Sequence, residues 1–123
     1  MDNVTIIPSP SGMPFASAVR VGNTIYLAGA IGRDPATGQV AGNIKAETDQ
    51  CLRNLTAALE QVGGSLSNLV TTTVFLTHLE RDYAAYNEVW RRHFGARVPA
   101  RATVEVAGLV AGALIEIQGI AVA

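Results

Sequence analysis

Two runs near the end of the chain limit its possible folds more than any other part: Val98-Pro99-Ala100-Arg101-Ala102-Thr103-Val104-Glu105-Val106-Ala107 and Ala113-Leu114-Ile115-Glu116-Ile117-Gln118-Gly119-Ile120-Ala121-Val122. In both, β-branched residues alternate with small or polar ones and turn formers bound the run, so both read as strands. Pro99 has no N–H to give to a ladder, so pairing is expected to begin after it, with Arg101 near the first paired position. Side chains alternate faces along a strand, and a slip of one residue exchanges the faces. If the two runs pair with each other and partner numbers sum to an odd value, Val104 and Val106 join Ala113, Ile115 and Ile117 on a wholly apolar face. The opposite face then gathers Arg101, Thr103 and Glu105 with Leu114, Glu116 and Gln118. An even sum mixes the valines with Glu116 and Gln118, so binary patterning favours the odd register.

On that register a guanidinium and a carboxylate share one surface. The arginine forks onto a small carboxylic acid and the glutamate remains free to handle protons. The same two residues also fit an ordinary cross-strand ion pair, and spacing alone does not separate the two readings.

Upstream, Val4-Thr5-Ile6-Ile7 is a short strand stopped by Pro8, Pro10 and Gly12. Gly22-Asn23 is a two-residue turn signal and predicts a hairpin joining Ala16–Val21 to Thr24–Ala30. Gly29, at the far end of that hairpin, permits close approach of a ligand or a second backbone, and equally fits a bulge. Asp34-Pro35-Ala36-Thr37-Gly38 is a turn. Ile44, Thr48, Cys51, Leu52, Leu55, Ala58, Leu59 and Val62 then recur at intervals of three and four. This spacing predicts an amphipathic helix with Asn43 as N-cap and Gly63-Gly64 as its stop. Cys51 lies on the apolar stripe and reads as structural.

A strand over Val70–Thr77 follows, then a second helix from about Arg81 to Phe94, with Tyr83, Tyr86, Trp90 and Phe94 on its buried side and Gly95 at its end. Asn87 sits among those aromatics, and its amide either ties down a neighbouring backbone group or reaches a ligand. Arg91, Arg92 and Arg97 read as a solvated cluster complementing the negative end of this helix. His78 and His93 lack partners at metal-ligand spacing, so no metal is expected.

At 123 residues and 49% hydrophobic composition the chain reads as one domain, residues 1–123, small enough that oligomerisation would help it. A net charge of −1 argues against nucleic acid or an anionic membrane as partner. The longest apolar stretch, Val106 to Ile115, is about half the length a membrane span requires. Met1-Asp2-Asn3 lacks the basic start of a signal peptide, and the single cysteine excludes an internal disulfide; both fit a cytoplasmic location. The element order β-β-β-α-β-α-β-β lets two helices cover one face of a mixed sheet of about six strands. The other face, with Thr103, Leu114, Ile120 and Val122 beside the charged pair, is too apolar for solvent alone and calls for a partner subunit.

The run Pro99 to Ala107 and the ending Ile115 to Val122 resemble the signatures of the RidA/YjgF family of imine and enamine deaminases, and the resemblance extends over essentially the whole chain. It implies an α+β, chorismate-mutase-like fold and a homotrimer around a central barrel with clefts between subunits. It also implies hydrolysis of 2-imino acids, or enamine tautomers such as 2-aminoacrylate, to 2-keto acids and ammonia. Such species leak from pyridoxal-phosphate dehydratases acting on serine or threonine, so the implied role is the clearing of reactive metabolites. By that analogy Arg101 clamps the substrate carboxylate, Glu116 positions and deprotonates the attacking water, and Phe15, Gly29, Ala30, Asn87 and Thr103 line the pocket. No cofactor is implied, because a protonated imine is already electrophilic.

The chain also departs from the commonest pattern of that family. Phe15 stands where Tyr is usual, Ala30 where Gln is common, Thr103 for a frequent Cys, and Gly108 where a basic residue often follows. These departures bear on which imine is taken, a larger or less polar one or an enamine such as aminomuconate included. Two other classes of function stay in view: a non-catalytic carboxylate-binding or chaperone-like trimer, which the pairing of Arg101 with Glu116 disfavours, and a ribonuclease, which the charge balance disfavours.

Overall fold

Local signals set the first helix. In the computed structural model, which describes residues 3–123, Asn43 accepts the Ala46 N–H through its side chain at 2.9 Å and starts α1 (Ile44–Glu60). The helix ends before Gly63, whose φ of 80° lies in the left-handed region that favours glycine. The stripe read from the sequence is the buried one: Cys51, Leu52, Leu55 and Leu59 are all within 1% of full burial. The second helix, α2 (Leu79–Phe94), begins two residues earlier than its periodicity suggested. His78, at its N-cap, offers no side-chain bond, and the Leu79 N–H instead donates to Glu105 Oε1 at 3.0 Å, a cap supplied from a distant strand.

Among the described residues seven strands form one sheet: β1 (Val4–Pro8), β2 (Ala16–Val21), β3 (Thr24–Leu27), β4 (Ala30–Ile31), β5 (Leu69–Leu76), β6 (Ala100–Glu105) and β7 (Ile115–Val122). The order is β1-β2-β3-β7-β5-β6, with β4 also pairing β7. The count exceeds the expected six because the run from Thr24 breaks at Ala28-Gly29 into β3 and β4. The Gly22-Asn23 hairpin forms as expected. Both helices lie on one face, against a core that includes Ile25, Leu55, Val74, Trp90, Ile115 and Ile117. Tyr83 leaves the expected buried side and is 42% exposed, whereas Tyr86, Trp90 and Phe94 are buried. No helix among the described residues is long and apolar enough to cross a membrane.

The pairing of the two C-terminal runs does not occur. β5 lies between them, parallel to β6 and antiparallel to β7. Arg101 sits level with Thr72, and Thr72 with Gly119; Glu116 sits level with Phe75, and Phe75 with Val104. Arg101 and Thr103 therefore share the helix-covered face with Ile117 and Gly119, while Val104 shares the uncovered face with Glu116 and Gln118. The parity argument presumed adjacent strands and one common apolar face. With a third strand inserted, each run meets its own surroundings, and Arg101 and Glu116 of one chain point into opposite layers.

Candidate active site

The expected site residues fall into two groups. The first lies where the edge strand β6 meets α2. The Arg101 guanidinium rests over three aromatic rings of that helix, 4.7 Å from the Tyr86 centroid, 5.1 Å from Trp90 and 5.7 Å from Tyr83. Its Nη1 donates to Asn87 Oδ1 at 2.8 Å and its Nη2 to the Tyr83 hydroxyl at 3.3 Å. Both acceptors are neutral, and no ion pair among the described residues involves Arg101. The remaining N–H groups of a charged, oriented fork are thus left for an anion.

Asn87 takes a role that neither sequence alternative foresaw: its carbonyl oxygen holds the arginine, which leaves its amino group to donate elsewhere. Thr103 is tied by its hydroxyl to Tyr86 at 2.6 Å. Burial pushes the Tyr86 phenol above its ordinary pKa, against the opposing pull of Thr103 and Arg101, so it stays a neutral hydrogen-bonding group. Leu79, Glu80, Tyr83, Arg101, Thr103 and Glu105 line a cleft of about 760 Å³ on this edge.

The second group lies on the uncovered face near the break between β3 and β4. Glu116 is level with Ile31 on one side and Phe75 on the other. A Cβ on Gly29 would collide with the Glu116 carboxylate, so only glycine leaves that carboxylate its place. Ala30 is level with Ile117 and turns its methyl toward the core, bordering this region through backbone alone. Phe15 is 52% exposed, two residues before Ser17, whose carbonyl accepts the Ala28 N–H at 3.0 Å. Cys51 takes no part: its thiol donates to the Ala30 carbonyl at 2.9 Å, and burial pushes its pKa far above the ordinary value.

Sequence reading missed three contributors. Tyr83 precedes Asn87 by four residues and so shares its helix face, a signal that was available. Glu105 as a cap and Glu47 as a staple gave no such signal. Glu47 is fully buried, with its carboxylate accepting the Leu114 N–H at 2.8 Å and the Gly42 N–H at 3.0 Å, and it thereby fixes the approach to β7 and Glu116. No cluster of three or more His, Cys, Asp or Glu able to hold a metal occurs among the described residues.

A mixed sheet covered on one face by two helices, with an arginine at its edge that forms no ion pair among the described residues and a glutamate on the bare face, defines an α+β protein. A family model described as Endoribonuclease L-PSP matches residues 7–123, and the chain belongs to that family, the RidA/YjgF proteins. It is 44% identical over 115 residues to a RutC family protein of Pyrococcus abyssi, covering 93% of this chain and 89% of the relative. It is 40% identical over 121 residues to the 2-iminobutanoate/2-iminopropanoate deaminase of Mus musculus, covering 98% and 88%. Among solved structures, E. coli TdcF with bound serine superposes with a TM-score of 0.85 at 31% identity, covering 90% of this chain and 89% of that one.

Proposed function

We propose that this protein hydrolyses reactive 2-imino acids and their enamine tautomers to 2-keto acids and ammonia, in a cleft where Arg101 of one subunit faces Glu116 of a neighbour. The observation that carries the proposal is the state of Arg101: oriented by Asn87 and Tyr83, laid on an aromatic bed, and without an anionic partner among the described residues. A guanidinium so held is prepared for a carboxylate. Relatives about 40% identical are named imine deaminases, and the serine bound to TdcF carries a carboxylate beside a nitrogen-bearing carbon.

Because the two residues point into opposite layers of one sheet, a single chain offers only half of the machinery. A neighbouring copy set against the bare apolar face brings the other half, and a homotrimer with one cleft per pair of chains is the assembly proposed.

In that cleft Arg101 fixes the substrate carboxylate, and Glu116 takes a proton from water as its oxygen attacks C2 of the protonated imine. The resulting carbinolamine receives that proton on nitrogen, the C–N bond breaks with its electrons leaving on ammonia, and the remaining hydroxyl proton is lost as the keto group forms. An enamine enters the same sequence after protonation at its β-carbon.

The test feeds 2-iminopropanoate and 2-iminobutanoate, released by a threonine or serine dehydratase, to the purified protein while semicarbazide traps what survives. Faster loss of the trappable imine, with keto acid and ammonia in equal yield, is the expected result. An unchanged rate of loss would leave a non-catalytic binding protein as the better description.

A further inference from the structure

The Arg101 edge also carries information on which side chain the substrate bears. Leu79 and Tyr83 are four residues apart on α2, so they lie side by side on one face of the helix. Both line the cleft that holds Arg101. Along that helix Tyr86 and Trp90 are closed into the core, at 0% and 4% exposure, whereas Tyr83 keeps 42% of its surface open. Its hydroxyl accepts from Arg101 Nη2 and its ring packs edge-on to Tyr86 at 5.8 Å, so the exposed ring is fixed rather than free to fold away. Glu80 and Glu105 supply the acidic part of the same lining, and neither forms an ion pair among the described residues.

We propose that this cleft selects 2-imino acids with aromatic or branched apolar side chains over the shortest and over acidic ones, with Leu79 and Tyr83 as the specificity-determining wall. The inference rests on the deaminase reading and deepens it. A carboxylate seated on Arg101 leaves the substituent on C2 to settle beside the guanidinium. A flat or branched apolar group covers the open Tyr83 ring and the Leu79 side chain, removing apolar surface from water on both partners. A methyl group leaves that wall wet. A second carboxylate meets Glu80 and Glu105 and is repelled.

Amino acid oxidases acting on alanine, leucine, phenylalanine and glutamate supply the four imino acids, and the stereochemistry of the precursor is immaterial because the imine carbon is planar. The expected kcat/KM for the phenylalanine-derived imine exceeds that for the alanine-derived one by about tenfold or more, and the glutamate-derived imine is the poorest substrate. Tyr83→Ala is expected to collapse the phenylalanine-to-alanine ratio about tenfold, whereas Tyr83→Phe, which keeps the ring and loses only the hydroxyl, preserves it. Equal rates for all four imines, or a Tyr83→Ala variant that loses activity on each to the same extent, would overturn the selectivity while leaving the deaminase reading intact. Turnover of none would overturn the deaminase reading. In that event calorimetric binding of phenylpyruvate against pyruvate decides the selectivity by itself: tighter phenylpyruvate binding that Tyr83→Ala abolishes supports it, and indifference refutes it.

Discussion

The two faces of the sheet carry similar side chains in opposite surroundings. On the helix-covered face Ile25, Val74, Ile115 and Ile117 are completely buried; on the bare face Ile6, Tyr26, Val104 and Val122 stand 63%, 49%, 42% and 44% exposed. Alternation along each strand makes both faces apolar, but the chain has helices enough for one. The proposed active site divides along the same line, with Arg101 at the edge of the covered layer and Glu116 on the bare one. The contrast teaches that apolar patterning shows where cover is needed, whereas only topology shows whether the chain supplies that cover itself. In the proposed assembly a second copy covers the bare face and completes the site in one step.

Chemistry offers the hardest blow to this contrast. Glu116→Gln is expected to lower kcat by about 10²–10⁴-fold, as for loss of a general base, with substrate binding largely kept. Arg101→Ala is expected to lower kcat/KM by about 10²–10³-fold while its unfolding midpoint stays close to that of the parent. Steady-state assays of the two variants side by side check both, and full activity in either removes that residue from the site.

Assembly comes next. Tyr26→Glu places a charge in the middle of the bare face, where Tyr26 is level with Val19 and Ile120. Sedimentation is expected to show smaller species than the parent, because a like charge from each copy is forced together. A variant that sediments as the parent does would show that this face is not the contact.

A third comparison weighs truncation to alanine on the two faces. Leu55→Ala, in the covered core, is expected to cost about 2–5 kcal/mol in denaturant unfolding. Val122→Ala, on the bare face, is expected to cost below about 1 kcal/mol once subunits are separated by dilution. Equal losses under those conditions would erase the distinction between the faces.

The smallest effect concerns the contact between helices. Burial alone would raise the Asp49 carboxyl, but hydrogen bonds from His93 at 2.7 Å and Arg53 at 2.8 Å outweigh it and hold the pKa below its ordinary value. A carboxyl lowered in the folded state contributes stability that is complete above the unfolded value and is lost as pH falls through the folded one. Asp49 is 39% exposed, so screening keeps the contribution below about 1 kcal/mol. Asp49→Asn is expected to flatten the acid limb of a melting-temperature profile slightly; an unchanged limb would remove Asp49 from it.

Much of the fold was legible because its signals are local. Asn43 caps α1, Gly22-Asn23 turns the hairpin, and Pro99 delays β6 until Ala100, each through its own backbone chemistry. Strand order was not legible, since the insertion of β5 between β6 and β7 depends on contacts far apart in sequence. That one non-local fact moved Arg101 and Glu116 from a shared surface to opposite layers. Within the first half of the site, Arg101, Asn87 and Thr103 were all named from the sequence, while Tyr83 was assigned to the core. The aromatic spacing of α2 does not reveal that the helix runs out of core before its first tyrosine.

The central claim is that Arg101 of one chain works with Glu116 of another, and subunit mixing addresses it most directly. Arg101→Ala and Glu116→Gln proteins, each inactive alone, are dissociated together and allowed to reassemble. If the site forms between chains, random mixing restores about one quarter of parental activity, the share of clefts that receive both native residues. If both residues act within a single chain, no mixture regains activity, and the shared-cleft account fails.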